Sequence, residues 1–161
     1  MSEYTIRPGN LAVGREEDEI RALALGAGVV VCLYDEEART GGMVYALFPD
    51  SGEPYSEELQ ELKYVDTALD ILEKKTVQAG ARTEKLWGKI VGGAQIFRFF
   101  NTDGRENIGR RNVEAAKEWM REHGIPIKAE DTGNDFGRTV RFSLPDGNIE
   151  VELVNKYKYY I

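Results

Sequence analysis

The sequence predicts an α/β fold: a single-domain sandwich of a mixed β-sheet and two main helices over residues 1–161. Three observations predict it. Two short apolar runs, Val29–Tyr34 and Met43–Phe48, flank a Gly-containing turn and read as paired core strands. Two longer stretches, 64–80 and 108–123, carry apolar residues at helical spacing. Three further strand-like segments follow the second of them. The 161 residues suit one domain with a sizeable core, and no repeat, low-complexity tract or linker divides them.

In chain order, Glu3–Ile6 and Leu11–Val13 read as short strands around a turn at Pro8-Gly9-Asn10. The acidic run Glu16–Glu19 reads as a solvated loop or strand end. Four consecutive acids cannot face one point, and their spacing matches no calcium loop. Ile20–Leu25 leads into Gly26-Ala27-Gly28, a turn whose glycines permit close approaches that a Cβ would forbid. Two readings stand for this turn: a tight connection into a core strand, or a place where a reacting group or ligand sits. Residues 50–62 read as a polar surface loop ending in a helical turn. In the helix 64–80, Val65, Ala68, Leu69 and Leu72 share one face and Gly80 follows the last turn.

Leu86–Ile90 reads as a strand feeding Val91-Gly92-Gly93-Ala94, and Ile96–Phe100 as a further apolar segment before a turn at Thr102-Asp103-Gly104. The second helix, 108–123, sets Val113, Ala116 and Met120 on one face, with Asn107 as its cap, Gly124 as its end and His123 in the last turn. Ile127–Glu130, Arg138–Leu144 and Asn148–Val154 read as strands, the last two joined by a hairpin turn at Pro145–Asn148. Lys156–Ile161 reads as a basic, aromatic tail without assigned structure. Arg111 and Arg138 are placed to pair with Glu130 and Asp131.

Composition excludes several classes of function. Hydrophobic residues make up 42% and charged residues 30%, ordinary for a globular protein. A net charge of −7 argues against nucleic acid or anionic lipid as a broad-surface partner, although Arg105, Arg110 and Arg111 leave room for a local basic patch. The single Cys32 forms no internal disulfide and suits a reducing compartment. The first 21 residues lack the apolar core of a signal peptide, and no apolar run approaches the ~20 residues of a membrane helix. These features predict a cytoplasmic protein. No His, Cys or carboxylate cluster has metal-ligand spacing, and the glycines form neither a P-loop nor a dinucleotide fingerprint, so no metal or cofactor is expected.

The motifs themselves point further. The frame Ala22-x-x-x-Gly26-Ala27-Gly28-Val29, Val31-Cys32-Leu33-Tyr34-Asp35, Gly41-Gly42-Met43-Val44-Tyr45 and Pro49 resembles the front half of the CheD family, the chemoreceptor glutamine deamidases of chemotaxis. Gly92-Gly93-Ala94-x-x-Phe97, Asn107-Ile108-Gly109-x-Arg111-Asn112-Val113, and Glu130-Asp131-Thr132-Gly133 with Gly137-Arg138 resemble that family's later landmarks in the same order. The resemblance covers almost the whole chain and implies the CheD-like fold. It also implies where the chemistry would stand: the family's nucleophilic cysteine falls on Gly28, its histidine on Tyr45 and its threonine on Ala22.

Deamidation in that family needs a thiolate to attack a glutamine amide and a histidine to activate the thiol and protonate the leaving ammonia. Gly28 offers no nucleophile, and Tyr45, with an ordinary pKa near ~10, is a poor base. Cys32 lies about 13 Å further along a strand at ~3.3 Å per residue and reads as a small buried hydrophobe. His123 reads as a helix-end residue. The expectation is therefore no catalytic residues, a substrate cleft of Gly26, Ala27, Gly28, Tyr45, Gly92 and Gly93, and a role as a binding and regulatory module. Gly92-Gly93 equally reads as a bulge or tight turn. The partners that the resemblance implies are a CheC-type phosphatase, met through Phe97, or the cytoplasmic helices of chemoreceptors. Two rivals stand: an active glutamine deamidase using relocated residues, and a structural protein outside chemotaxis.

Overall fold

The computed structural model describes residues 2–51, 60–95 and 107–161. Within them lie ten strands and two α-helices. The order is β1 (Glu3–Ile6), β2 (Asn10–Arg15), β3 (Glu19–Leu25), β4 (Val29–Asp35), β5 (Thr40–Ala46), α1 (Val65–Gln78), β6 (Leu86–Gly92), α2 (Ile108–Glu122), β7 (Ile127–Thr132), β8 (Arg138–Ser143), β9 (Ile149–Glu152) and β10 (Lys158–Tyr160). The segment expected at Ile96–Phe100 and the turn expected at Thr102–Gly104 lie outside the described residues.

The α/β sandwich is present, and its strands divide into two mixed sheets. The central sheet runs β2-β5-β4-β6-β7 and the outer sheet β1-β3-β8-β9-β10. The only parallel pairings among these strands are β6/β7 and β1/β3. Both helices pack on one face of the central sheet, and the outer sheet packs on the other. This explains the unbroken apolar run in β4, where all seven residues are buried. Val29, Val31 and Leu33 meet Val65, Leu69 and Leu72 of α1 and Val113, Ala116 and Met120 of α2. Val30, Cys32 and Tyr34 meet Ile20, Val140, Phe142 and Val151 of the outer sheet. A strand covered on both faces has no solvated side to encode, so alternation disappears.

The two apolar runs of the sequence are the antiparallel pair β4/β5, in register from Val29↔Ala46 to Asp35↔Thr40. The helices are where their periodicity places them. Asn107 caps α2 by accepting from the Arg110 N–H at 3.2 Å. His123 is the C-cap of α2, its Nδ1 2.8 Å from the Trp119 carbonyl and its ring stacked on Trp119 at 3.9 Å. In the acidic run, Asp18 closes the turn by accepting from the backbone N–H groups of Ser2 and Arg15, both at 3.0 Å.

Two segments differ from the sequence reading. Ile20–Leu25 is a full strand, β3, whose alternation is interrupted by a bulge between Ala22 and Leu25 with Ala24 at φ 55°. The tail is ordered: β10 pairs antiparallel with β9, from Lys158↔Glu152 to Tyr160↔Glu150. A polar staple secures it. Asp131 accepts from the Tyr159 hydroxyl and from the wholly buried Arg138, whose Nε lies at 3.1 Å, while Arg138 Nη1 donates to the Gly133 carbonyl at 3.1 Å. Glu130 pairs instead with Lys117 at 3.0 Å. Lys89, buried between the sheets, donates to the carbonyls of Gly147 and Ile161, each at 2.8 Å, which ties the hairpin turn to the end of β10. Burial lowers its pKa.

Two phenols, the buried Tyr34 and the half-buried Tyr159, predict the alkaline behaviour. Burial, with added acids nearby, pushes Tyr34 up to about 12, and burial with the Asp131 hydrogen bond pushes Tyr159 up to about 12, both from 10.0. The folded chain then holds protons that the unfolded chain releases, so this stabilisation is whole below pH 10 and drains away between pH 10 and about 12. Denaturant unfolding across that interval should show stability falling with pH. Tyr159→Phe should make the fall shallower, and an unchanged slope would contradict the assignment.

Candidate functional site

The connection between β3 and β4 is fixed on one side by its carbonyls. The Gly26 carbonyl accepts from the Ala94 N–H at 3.0 Å, and the Gly28 carbonyl from the Gly93 N–H at 2.9 Å. Between them, the Ala27 carbonyl accepts from Asn112 Nδ2 at 2.9 Å. The same amide nitrogen donates to the Leu47 carbonyl at 2.9 Å, so Asn112 also ties down the chain leaving β5. Asn112 is fully buried on the apolar stripe of α2. Its Nδ2 finds two backbone partners there, while its Oδ1 is buried without one among the described residues.

The glycine motifs make this approach possible. Gly92 and Gly93 hold φ of 114° and 68°, which side chains rarely adopt. A Cβ on Gly92 would stand 2.6 Å from the Gly28 carbonyl, and one on Gly93 2.7 Å from the Gly109 carbonyl. A Cβ on Gly109 would stand 2.5 Å from the Ala94 carbonyl. Backbone therefore packs directly on backbone where the start of α2 meets the end of β6. The loop after β7 braces the other side, with Gly133 donating to the Gly92 carbonyl at 3.0 Å and Gln95 to the Asn134 carbonyl at 2.8 Å. Gly92 and Gly93 thus have a packing role of their own, whatever else they touch.

Gly28 and Tyr45 meet. A Cβ built on Gly28 would fall 2.6 Å from Tyr45 Cε1, 2.9 Å from the Ala46 carbonyl and 3.3 Å from Leu47 Cδ2. The tyrosine ring therefore fills the space that a side chain at position 28 would need. It is 5% exposed. Burial raises its pKa above the ordinary tyrosine value, with the Gly26 backbone a smaller opposing influence, so it stays neutral at physiological pH. Ala22 is buried in the same inter-sheet core, opposite Val140 of β8. It contributes a methyl group and no hydroxyl.

The other chemical candidates are elsewhere. Cys32 is completely buried, and burial pushes its thiol pKa upward, away from thiolate. His123 caps the far end of α2, eleven residues and about 17 Å along the helix from Asn112. Among the described residues, no three His, Cys, Asp or Glu side chains converge as a metal site. Gly26 borders a groove of about 440 Å³ with Leu25, Thr139 and Val154. Gly93 borders another of about 330 Å³ with Asn107, Arg110 and Asn134. Tyr45 lines neither groove. Phe97, the expected partner-binding residue, lies outside the described residues.

The motif frame contains Asn112 but does not disclose its task. The signal was a lone asparagine in line with Gly109, Val113 and Ala116 on an apolar helix face.

Residues 47–153 match the family model described as CheD chemotactic sensory transduction. That match begins just past the stretch holding Ala22, Gly28 and Tyr45. Curated relatives extend over the front half as well. The chain is 38% identical over 153 residues to a probable chemoreceptor glutamine deamidase CheD of Methanococcus vannielii, covering 95% of this chain and 96% of that protein. It is 41% identical over 137 residues to the chemoreceptor glutamine deamidase CheD of Halalkalibacterium halodurans, covering 85% of each. It is 40% identical over 147 residues to that of Bacillus subtilis, covering 91% of this chain and 89% of the relative.

The contact between positions 28 and 45 predicts a coupled stability effect. Gly28→Cys alone should destabilise by about 1–3 kcal/mol, the usual penalty of overpacking a buried site. Adding Tyr45→His should recover at least half of it, with the Ala46 carbonyl keeping the remainder. Urea unfolding of the two single variants and the double variant measures the coupling, and additive effects would show that the ring and position 28 do not compete for space.

Proposed function

Because the chain belongs to the CheD family, we propose that it serves chemotactic sensory transduction by binding rather than by glutamine hydrolysis. Its relatives are named for a deamidase acting on chemoreceptors. In the chemistry that the resemblance implies, a thiolate adds to the side-chain carbonyl of glutamine and ammonia leaves with a proton from histidine. Water then opens the thioester to glutamate. The observation that carries our reading is the contact at the candidate site. Gly28 has no side chain, and the Tyr45 ring stands 2.6 Å from where its Cβ would be. The place of a nucleophile is filled by a neutral phenol.

Loss of both nucleophile and base removes most of the rate enhancement of such an enzyme, leaving only what binding and backbone donors supply. The relocated-residue alternative finds little support, since Cys32 is sealed between the sheets and His123 sits at a helix end. The retained scaffold supports occupancy instead. We place the partner among chemoreceptor cytoplasmic helices or a CheC-type phosphatase, the chain acting as a regulatory module in the cytoplasm.

The test compares the native chain with the triple variant Ala22→Thr, Gly28→Cys and Tyr45→His on a chemoreceptor cytoplasmic fragment, scoring amide-to-acid conversion by mass spectrometry. The native chain should convert nothing, and the triple variant should show time-dependent conversion. Conversion by the native chain would overturn the proposal. Silence from both would mean that the scaffold no longer presents a glutamine site, and would move the search for partners to other surfaces.

A further inference from the structure

Gly92 closes β6 and Gly93 follows it, and a glycine backbone has little conformational preference of its own to enforce. Both stand in left-handed geometry, at φ 114° and 68°. The stretch they begin aims the groups that hold the connection 26–28. Gly93 donates to the Gly28 carbonyl at 2.9 Å, and Ala94 to the Gly26 carbonyl at 3.0 Å. A backbone in such a region persists where its surroundings over-determine it. The connection is therefore only as definite as the brace behind Gly92 and Gly93.

That brace is a chain of oriented groups which begins in the tail. Gly133 donates to the Gly92 carbonyl at 3.0 Å. Gly133 and Asn134 are themselves left-handed, at φ 80° and 60°, so their loop too is held from outside. The holder is Arg138, whose Nη1 donates to the Gly133 carbonyl at 3.1 Å. Arg138 is 1% exposed, and its guanidinium carbon lies 4.7 Å from the centre of the Phe136 ring. Its orientation comes from Asp131, which accepts from Nε at 3.1 Å. The same carboxylate oxygen accepts from the Tyr159 hydroxyl of β10. One oxygen thus fixes both a buried guanidinium and a tail strand.

We infer that Tyr159 is a positioning residue for the connection 26–28, acting through Asp131, Arg138 and Gly133 on the backbone of Gly92 and Gly93. The tail strand is thereby part of the support of a site far from it in sequence. The ring of Tyr159 packs against the core between the sheets, so loss of the hydroxyl alone keeps that packing and removes the contact to Asp131. The inference deepens the binding function proposed above, and its affinity measurement rests on that reading. A looser connection is a less preorganised surface, which a partner must order when it binds.

Amide hydrogen exchange in Tyr159→Phe tests it, with Tyr160→Phe as the control. Tyr160 lies on the same strand, but its hydroxyl donates to Glu150 at 2.9 Å and not to Asp131. The amide of Val31, in the middle of the central sheet, reports global unfolding. In Tyr159→Phe the amides of Gly93, Ala94 and Gly133 should exchange faster relative to Val31 by about threefold or more, the effect of one hydrogen bond near the weak end of its range. In Tyr160→Phe the ratio should keep its native value. Equal quickening of all four amides would mean that the hydroxyl serves only overall stability, and no quickening would mean that tail and connection are uncoupled. Either result overturns the inference. In calorimetric titration with a chemoreceptor cytoplasmic fragment, the dissociation constant should rise by about threefold or more in Tyr159→Phe. An unchanged constant would overturn the positioning role. If the native chain binds no fragment, the binding proposal itself fails, and the exchange ratio still decides the inference, so the two failures are distinguishable.

Discussion

A row of held carbonyls sets the terms for the rest of the molecule. Gly26, Ala27, Gly28 and Leu47 turn their oxygens toward α2 and the end of β6, where Ala94, Asn112 and Gly93 donate to them. Each of these oxygens would cost about 1–3 kcal/mol if buried without a partner. The arrangement therefore dictates which residues stand around it. Glycine is needed at 92, 93 and 109 because backbone meets backbone there. Asparagine is needed at 112 because one amide must reach two carbonyls from a helix. The Arg138–Asp131–Tyr159 staple holds Gly133, and through it the Gly92 end of β6.

That framework does not depend on what projects from its other side. Position 28 contributes no hydrogen-bonding side chain to the clamp, so glycine there leaves the three carbonyl contacts in place. The ring of Tyr45 fills the space that a side chain at position 28 would need, which keeps the close packing that interiors require at the level of single methylenes. In the proposed reading, a reactive pair is exchanged there for an inert one. The fold and the family relationship are thus compatible with the loss of deamidase chemistry, since function resides in the site and not in the scaffold.

The sequence disclosed those features whose cause is local. Helical periodicity marked α1 and α2, and the two apolar runs marked β4 and β5 as paired core strands. It disclosed less where the cause is distant. β3 is hidden because a bulge at Leu23–Ala24 breaks its alternation. The tail is hidden because the three residues of β10 are held by β9 and by Asp131, a partner far away in sequence. The division into two sheets was not readable, since an apolar strand does not say which sheet covers it. At the site, the positions of Ala22, Gly28 and Tyr45 could be named from the motif frame. That Tyr45 occupies the space of a side chain at 28 required coordinates, as did the task of Asn112.

The central claim is that the scaffold persists as a binding surface after its chemistry has gone. Calorimetric titration of the native chain with a chemoreceptor cytoplasmic fragment, with intact-mass analysis of the recovered fragment, addresses it most directly. The account predicts saturable binding and a fragment recovered with its glutamines unchanged. A fragment that binds and returns with glutamate in place of glutamine would contradict it.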